Sequence, residues 1–335
     1  MTTALVDADI IAFKSAIAVE GSGDDLVPAK EEDAFAYAEV MLREWIRPVK
    51  PTKTILCFSD VKRKYFRHDI YPEYKMNRKE SKRPMFLASV RDYLQKKHSW
   101  SVLSGLEADD LLGIYGTHPD IPDPVVISID KDMYTLPVKF FNPDKMKRWI
   151  RINKAQADIT MLEQSIMGDS TDNYKGIPGV GKVGAHKITN TASSPQQMWA
   201  NVVQAFLDNG LTQEYAITMI RLARILRYED YNFNNGEVRL WHPNNLKAEW
   251  IQPSALNTIN SETEFKLSTT SKQSRKPSKV TKPSNSQTSS STSVDTEVKE
   301  KPSTISTKLD GISTDSSPSS SEKKWTISEA SIDEQ

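Results

Sequence analysis

Short apolar runs that end in a carboxylate recur along the first half of this chain. Ala4-Leu-Val6 leads into Asp7 and Asp9, Thr54–Phe58 leads toward Asp60, and Val125–Ile129 leads into Asp130-Lys-Asp132. Runs of that length, rich in β-favouring residues, predict buried strands. Trp100–Leu103 and Lys139–Phe141 are further strand candidates. Helical spacing fills the intervals: Phe35, Ala38, Met41, Leu42 and Trp45 make an amphipathic helix over 34–47, which Pro48 and Pro51 end. Helices are also predicted from about Ile10, over 87–94, from Glu107 after the break at Gly105, from near Lys154, and over most of 196–227. Residues 21–33 read as a polar loop. Strands alternating with helices predict an α/β fold, a mostly parallel central sheet flanked by helices.

The pattern changes after about Ser261. Residues 268–325 are dominated by Ser, Thr, Lys and Pro and hold almost no aromatic residue. Such a segment cannot bury enough apolar surface to offset its ordering entropy, so 261–335 is expected to be a disordered tail. The final stretch from Lys324 reads either as an inert end or as a short tag for a partner.

Composition narrows the function classes. The 335 residues carry 44 Lys plus Arg and 44 Asp plus Glu, so the formal net charge is zero. Any nucleic-acid contact must therefore come from local patches. The one cysteine, Cys57, lies inside an apolar run, which leaves no disulfide framework and no zinc site. The first residues show no basic n-region, and no apolar run reaches the ~20 residues of a membrane helix, so neither a signal peptide nor membrane association is expected.

The acids gather in five places: Asp7 and Asp9; Asp60; Glu107, Asp109 and Asp110; Asp130 and Asp132; Asp169 and Asp172. In a parallel α/β sheet the carboxyl ends of the strands share one edge, where sites form. Converging carboxylates repel one another unless cations compensate them. Hard divalent ions with oxygen ligands meet that need, Mg²⁺ above all, with Mn²⁺ able to substitute. Two such ions ~4 Å apart stabilise the attacking and leaving oxygens of a phosphodiester. Taken singly, each cluster has a plainer reading as a helix cap, a first-turn charge or a solvated turn.

Residues 62–83 are strongly basic, with nine Lys or Arg against three acids, and Tyr65, Phe66, Tyr71 and Tyr74 interleave. Cations bind phosphates and rings stack on unpaired bases, which suits a gateway for a strand end; the alternative is a solvated charged face. Further on, Gly176, Pro178, Gly179 and Gly181 forbid a continuous helix and predict helix, tight turn, helix over 166–190. A second helix starting near Lys182 would point its free N–H groups at a phosphate, so the segment is a candidate clamp for nucleic-acid backbone.

In order, Val6-Asp7, Phe58-Ser-Asp60, Pro72-Glu-Tyr-Lys-Met-Asn-Arg78, Glu107-Ala-Asp-Asp110, Asp130-Lys-Asp132 and Gly168-Asp-Ser-Thr-Asp-Asn173 resemble the 5′-nuclease superfamily. Within it, the chain is most similar to the 5′–3′ exonucleases of podovirus-type bacteriophages, a likeness also carried by Ala223–Asn232 and Leu240-Trp-His-Pro243. The resemblance covers about 1–245. It implies a PIN-like 5′-nuclease core over 1–153 with a basic arch or gateway at 62–83. It also implies a helical DNA-binding subdomain over 154–260 containing a helix–three-turn–helix. Asp7, Asp60, Glu107, Asp109 and Asp130 would hold one metal ion, and Asp110, Asp132, Asp169 and Asp172 would serve the second. Lys75 and Arg78 would engage the scissile phosphate, and Tyr74 would stack on the terminal nucleotide. Arg67, Gly176, Gly179, Gly181 and either Lys182 or Lys187 would contact DNA, and a K⁺ ion could sit on the turn carbonyls. Ala8 stands where many members have Gly, and Val183 where many have Lys.

The expectation is a Mg²⁺-dependent 5′–3′ exonuclease acting on double-stranded DNA with 5′ ends and also on the RNA strand of an RNA–DNA hybrid. It would work in the cytoplasm of an infected host cell, with a replication partner reached through the tail. Three alternatives are a structure-specific flap endonuclease or small ribonuclease, a DNA-binding module without catalysis, and a phosphatase beginning at Asp7. The last lacks a Gly-rich phosphate loop after Asp9.

Overall fold

The computed structural model describes residues 1–20, 30–78 and 82–245, which all lie within one compact unit. Six strands form the central sheet: β1 (Thr3–Asp7), β2 (Lys53–Cys57), β3 (Trp100–Ser101), β4 (Pro124–Ile127), β5 (Lys139–Phe141) and β6 (Ile150–Arg151). Their order is β3-β2-β1-β4-β5-β6, and every neighbouring pair is parallel except β5 with β6. The order reverses between β1 and β4. That is the switch point beyond whose carboxyl ends an α/β sheet opens a crevice.

The pleat of β1 divides the core. Ala4 and Val6 pack with Ile11 and Ala12 of α1 (Ala8–Glu20), Leu42 and Trp45 of α2 (Glu31–Ile46), and Leu94 two helices later. Leu5 faces the other way, with Ile55, Val126 and Phe140. It meets Leu111, Leu112 and Tyr115 of the helix after Glu107, and Leu226. Among its described residues the basic stretch contributes a five-residue helix, α3 (Phe66–Ile70), and one turn over Met76–Arg78. Helices α4 (Leu87–Lys97) and α5 (Ala108–Gly116) follow. A second core forms among α6 (Lys154–Met167), α7 (Lys182–Asn190), α8 (Pro195–Asp208) and α9 (Gln213–Ala223), where Leu162, Ile166, Phe206 and Met219 are fully buried.

Where the elements differ from expectation, the reason is local. Helix α2 begins at Glu31 rather than 34, because Glu31, Glu32 and Asp33 in its first turn complement the helix dipole. Helix α6 stops at Met167, since Gly168 adopts φ +72°, and the next residues pair as a small hairpin of β7 (Gly168–Asp169) and β8 (Tyr174–Lys175). That hairpin was not anticipated. Strand β3 keeps only two of four expected residues. The extended stretch after α9 ends the helical region before 227 and pairs β9 (Tyr231–Asn232) with β10 (Glu237–Val238). The expected tail at 261–335 lies outside the described residues.

Gly113 on α5 sets how closely this helix meets the returning chain. A Cβ placed there would stand 2.2 Å from the Leu226 carbonyl oxygen and 2.8 Å from Leu136 Cδ2. Backbone cannot move aside as a side-chain tip can. Gly113→Ala is therefore expected to destabilise the protein by at least about 1–3 kcal/mol. The measurement is the urea midpoint of the full chain; an unshifted midpoint would show that the contact is not tight.

Candidate active site

Asp7 ends β1 and is almost fully buried. Its Oδ2 accepts from the Ser128 hydroxyl at 2.8 Å, and its Oδ1 from the Ile10 N–H at 3.3 Å. Burial, then the neighbouring Asp9, then Asp130, push its carboxyl up to about 7 against those two hydrogen bonds. Asp109, in the first turn of α5, is pushed well above the carboxylate range by burial and by Asp7 and Asp130. It has no hydrogen-bond donor among the described residues. Asp130 leaves β4 and caps the turn over Lys131–Thr135 through the Asp132 N–H at 2.8 Å. Asp132 is raised by burial and by Asp130, and also feels Asp169. Carboxylates from β1, β4, α5 and the β7–β8 hairpin thus share one electrostatic environment at the switch point.

Cations of the protein stand among these acids. Lys131 Nζ lies 2.8 Å from Asp132 Oδ1 and 2.9 Å from Asp169 Oδ2. Lys75 Nζ lies 2.5 Å from Glu107 Oε1 and 3.5 Å from Asp172 Oδ2, and the Arg78 guanidinium meets Asp172 Oδ1 at 2.6 Å. Burial alone would raise Glu107, but Lys75 and Arg67 overcome it and hold the carboxyl at about 2. Among the described residues no three acids make a ready-formed ion cage; the lysines and Arg78 occupy the gaps.

The basic stretch is docked on the hairpin rather than standing free. Lys75 adopts φ +54°, an uncommon conformation for a side-chain-bearing residue, and its N–H donates to the Asp172 carbonyl at 2.9 Å. Asn173 donates to the Glu73 carbonyl at 2.7 Å, Asn77 to the Ser170 carbonyl at 3.0 Å, and Arg78 Nε to the Thr171 carbonyl at 3.2 Å. The backbone around Asp169 and Asp172 and the segment carrying Lys75 and Arg78 are therefore one assembly.

Three assignments among these charged and aromatic residues need correction. Arg67 is buried, not a DNA contact: its guanidinium binds both oxygens of Asp110 at 2.7 and 2.8 Å, Glu107 at 3.0 Å, and the carbonyls of Leu222 and Arg224. Asp110, fully buried, is consequently Arg67's counter-ion and the acceptor of the Glu107 and Leu226 N–H groups, and it cannot reach an ion in the crevice. Tyr74 is also buried. Its hydroxyl lies 2.9 Å from Glu107 Oε2 and 3.0 Å from Asp172 Oδ2, bridging two acids instead of offering a ring to a base. Asp60 stays ionised: it accepts from the Lys62 N–H on one oxygen and the Gly105 N–H on the other, both at 2.9 Å, and these bonds outweigh burial to hold it below its usual range with a lone pair left on each oxygen. It closes the loop after β2.

The turn at 176–181 has two parts. Gly176 is buried rather than open to DNA, a further correction: a Cβ there would stand 2.0 Å from the Ile166 carbonyl oxygen, and the adjoining Ile177 N–H donates to that same oxygen at 2.7 Å. Gly179, at φ +76°, and Gly181 face open space. Gly181 caps α7 without a side-chain bond, so the first-turn N–H groups point outward. Lys182 and Lys187 are exposed and have no acid partner among the described residues.

The residues that sequence reasoning passed over are Ser128, whose hydroxyl donates to Asp7 and accepts from the Asp130 N–H at 3.1 Å, and Lys131. Lys131 was visible as the cation between two acids in Asp-Lys-Asp. Ser128 had no signal, because a small polar residue inside an apolar run reads as strand.

Residues 2–161 match the 5′-3′ exonuclease, N-terminal resolvase-like domain family. With the acid-lined switch point, that match defines the class: a nuclease of the 5′–3′ exonuclease kind, acting on DNA. Two phage relatives agree. The exodeoxyribonuclease of Enterobacteria phage T3 and the exonuclease of Escherichia phage T7 are each 27% identical over 245 residues, spanning 63% of this chain and 79% and 80% of those proteins. The crystal structure of the T5 D15 protein, co-crystallized with metal ions, superposes with a TM-score of 0.51 at 17% identity, covering 67% of this chain and 89% of that one, and so shares the fold.

Arg67→Met would strand Asp110 as a buried, uncompensated charge, a loss expected to cost about 3–5 kcal/mol of stability. Arg67→Met combined with Asp110→Leu should recover most of that loss in denaturant unfolding. A double variant no better than the single would show that the pair is not coupled.

Proposed function

We propose that this protein is a Mg²⁺-dependent 5′–3′ exonuclease that degrades duplex DNA from 5′ ends and also accepts the RNA strand of an RNA–DNA hybrid. The observation that carries this reading is the meeting of Asp7, Asp109, Asp130, Asp132 and Asp169 in one crevice beside a basic segment and an open helix N-terminus. The donor set fits a hard divalent ion, since it offers carboxylate oxygens only, with Asp7 and Asp109 held in mutual repulsion that a cation relieves. The T5 relative of the same fold was crystallised with metal ions.

Asp7, Asp109 and Asp130 would hold one ion, and Asp132, Asp169 and Asp172 a second, once Lys131 and Lys75 move aside. Bound ions would supply a water of lowered pKa and neutralise charge on the scissile phosphate. Ser128 orients Asp7 by its hydrogen bond. Lys75 and Arg78 sit where they can transfer from Glu107 and Asp172 to the phosphate and stabilise charge developing there. Tyr74 and Arg67 keep Glu107 in place while Lys75 departs. Lys182, Lys187 and the α7 N-terminus would hold the duplex backbone, with residues 1–153 as the catalytic core and 154–260 as the DNA-binding part. Such an enzyme would work in the cytoplasm of an infected host cell.

The test is purified full chain with 5′-labelled duplex and Mg²⁺. Asp130→Ala and Asp109→Asn are expected to cut activity more than ~100-fold, the upper end of what losing even an outer metal partner costs. Retained activity in both would overturn the assignment. Lys182→Ala should instead weaken duplex binding and lower its salt dependence by about one phosphate contact, while leaving the maximal rate close to that of the unchanged chain.

A further inference from the structure

The strands beyond β4 carry a second cationic surface that the sequence motifs did not mark. Between 139 and 154 the chain holds Lys139, Lys145, Lys147, Arg148, Arg151 and Lys154 against a single acid, Asp144. Asp144 is already paired with Lys14 of α1 at 3.0 Å. Lys145, Lys147, Arg148 and Arg151 are exposed and have no acid partner among the described residues. Among them stands Trp149, which keeps 40% of its surface open. Lys139, itself ion-paired with Asp123, places its Nζ over the ring at 4.5 Å. A tryptophan left this open in a ring of cations is not explained by core packing.

The segment is built, and it is built beside the crevice. Residues 142–149 join β5 to β6 at the carboxyl edge of the sheet. Asn142 Nδ2 donates to the carbonyl of Ile129, the residue before Asp130, at 3.1 Å. The Asn142 carbonyl accepts from the N–H groups of Lys145 and Met146, and its Oδ1 from that of Asp144, which closes the loop into one conformation. The pair between Asp144 and Lys14 fastens the same loop to the helix that starts directly after Asp7. In the strand order, the basic segment at 62–78 follows β2, on one side of β1 and β4, while this loop follows β5, on the other. The acids therefore lie between two cationic walls.

We propose that the loop at 142–149 forms a binding site for single-stranded DNA that extends from the duplex being processed. Trp149 stacks on an unpaired base while Lys145, Lys147 and Arg148 meet the phosphates that flank it. Duplex DNA offers a ring no unpaired face, whereas a ring set among cations is the arrangement that grips single strands without reading sequence. This inference rests on the nuclease reading above and names the part of the substrate that the turn at 176–181 leaves unaddressed. A substrate with a single-stranded extension at its processed end would then be held at two places, a blunt duplex at one.

The experiment compares two labelled duplexes, one blunt and one with a short oligothymidine extension, binding the full chain in EDTA so that no cleavage occurs. The unchanged chain should bind the extended duplex more tightly. Trp149→Ala should lose about 5-fold or more on the extended duplex and nothing on the blunt one, and Trp149→Phe should restore most of the loss. Lys147→Ala with Arg148→Ala should reduce the salt slope for the extended duplex by about 0.7 per residue. Equal affinity of the unchanged chain for both duplexes overturns the site, as does a Trp149→Ala loss that is equal on both. Cleavage of blunt duplex with Mg²⁺ by the Trp149→Ala protein reads the nuclease assignment separately: activity there with no extension effect rejects this site and leaves that assignment standing.

Discussion

One buried arginine ties the catalytic crevice to the rest of the molecule. Arg67 belongs to the basic stretch by sequence, yet it is withdrawn from solvent and holds Asp110, Glu107 and two backbone carbonyls of the chain returning from α9. A guanidinium can do this because its planar fork serves several acceptors at fixed angles. Desolvating such a charge is costly, and the arrangement is stable only because every partner is in place. The opening of α5, the segment carrying Lys75 and the end of the helical region are thus set relative to one another by a single side chain.

From that anchor the charge pattern of the site follows. Glu107 is held ionised by Arg67, Lys75 and the Tyr74 hydroxyl, whereas Asp7 and Asp109 lack comparable cations and are pushed up toward neutrality. Two kinds of carboxylate therefore coexist within one crevice. Glu107 serves to place Lys75; Asp7 and Asp109 are the acids a first divalent ion would satisfy, whereas Asp132, Asp169 and Asp172 would have to release Lys131 and Lys75 to take a second. Lys131 shows an intermediate condition: an exposed lysine bridging Asp132 and Asp169 can leave at little cost, because an ion pair open to water is weak.

The glycines divide in a similar way. Gly176 lets the turn press against the last carbonyls of α6, so its role is close packing. Gly179 and Gly181 touch nothing and leave the start of α7 uncovered. The same residue type builds the turn on one side and opens it toward a phosphate on the other.

The order of strands and helices and the clustering of acids at strand ends were legible in the sequence, because buried parallel strands are continuous apolar runs and the residue after each must leave the sheet at one edge. The helix start at Lys182 was legible for a related reason, as glycine and proline leave few backbone choices. What tertiary structure decided is which charged residues face the crevice. Asp110 stands beside Asp109 on α5, yet helical geometry turns the two to different sides; Arg67, from the same basic stretch as Lys75 and Arg78, is buried against Asp110, and the Tyr74 hydroxyl is buried between the two acids that Lys75 also reaches. Composition records that a stretch is basic or acidic. Whether a given guanidinium meets a phosphate or a buried aspartate depends on residues more than a hundred positions away, such as Leu222 and Arg224, which only the folded chain brings beside it.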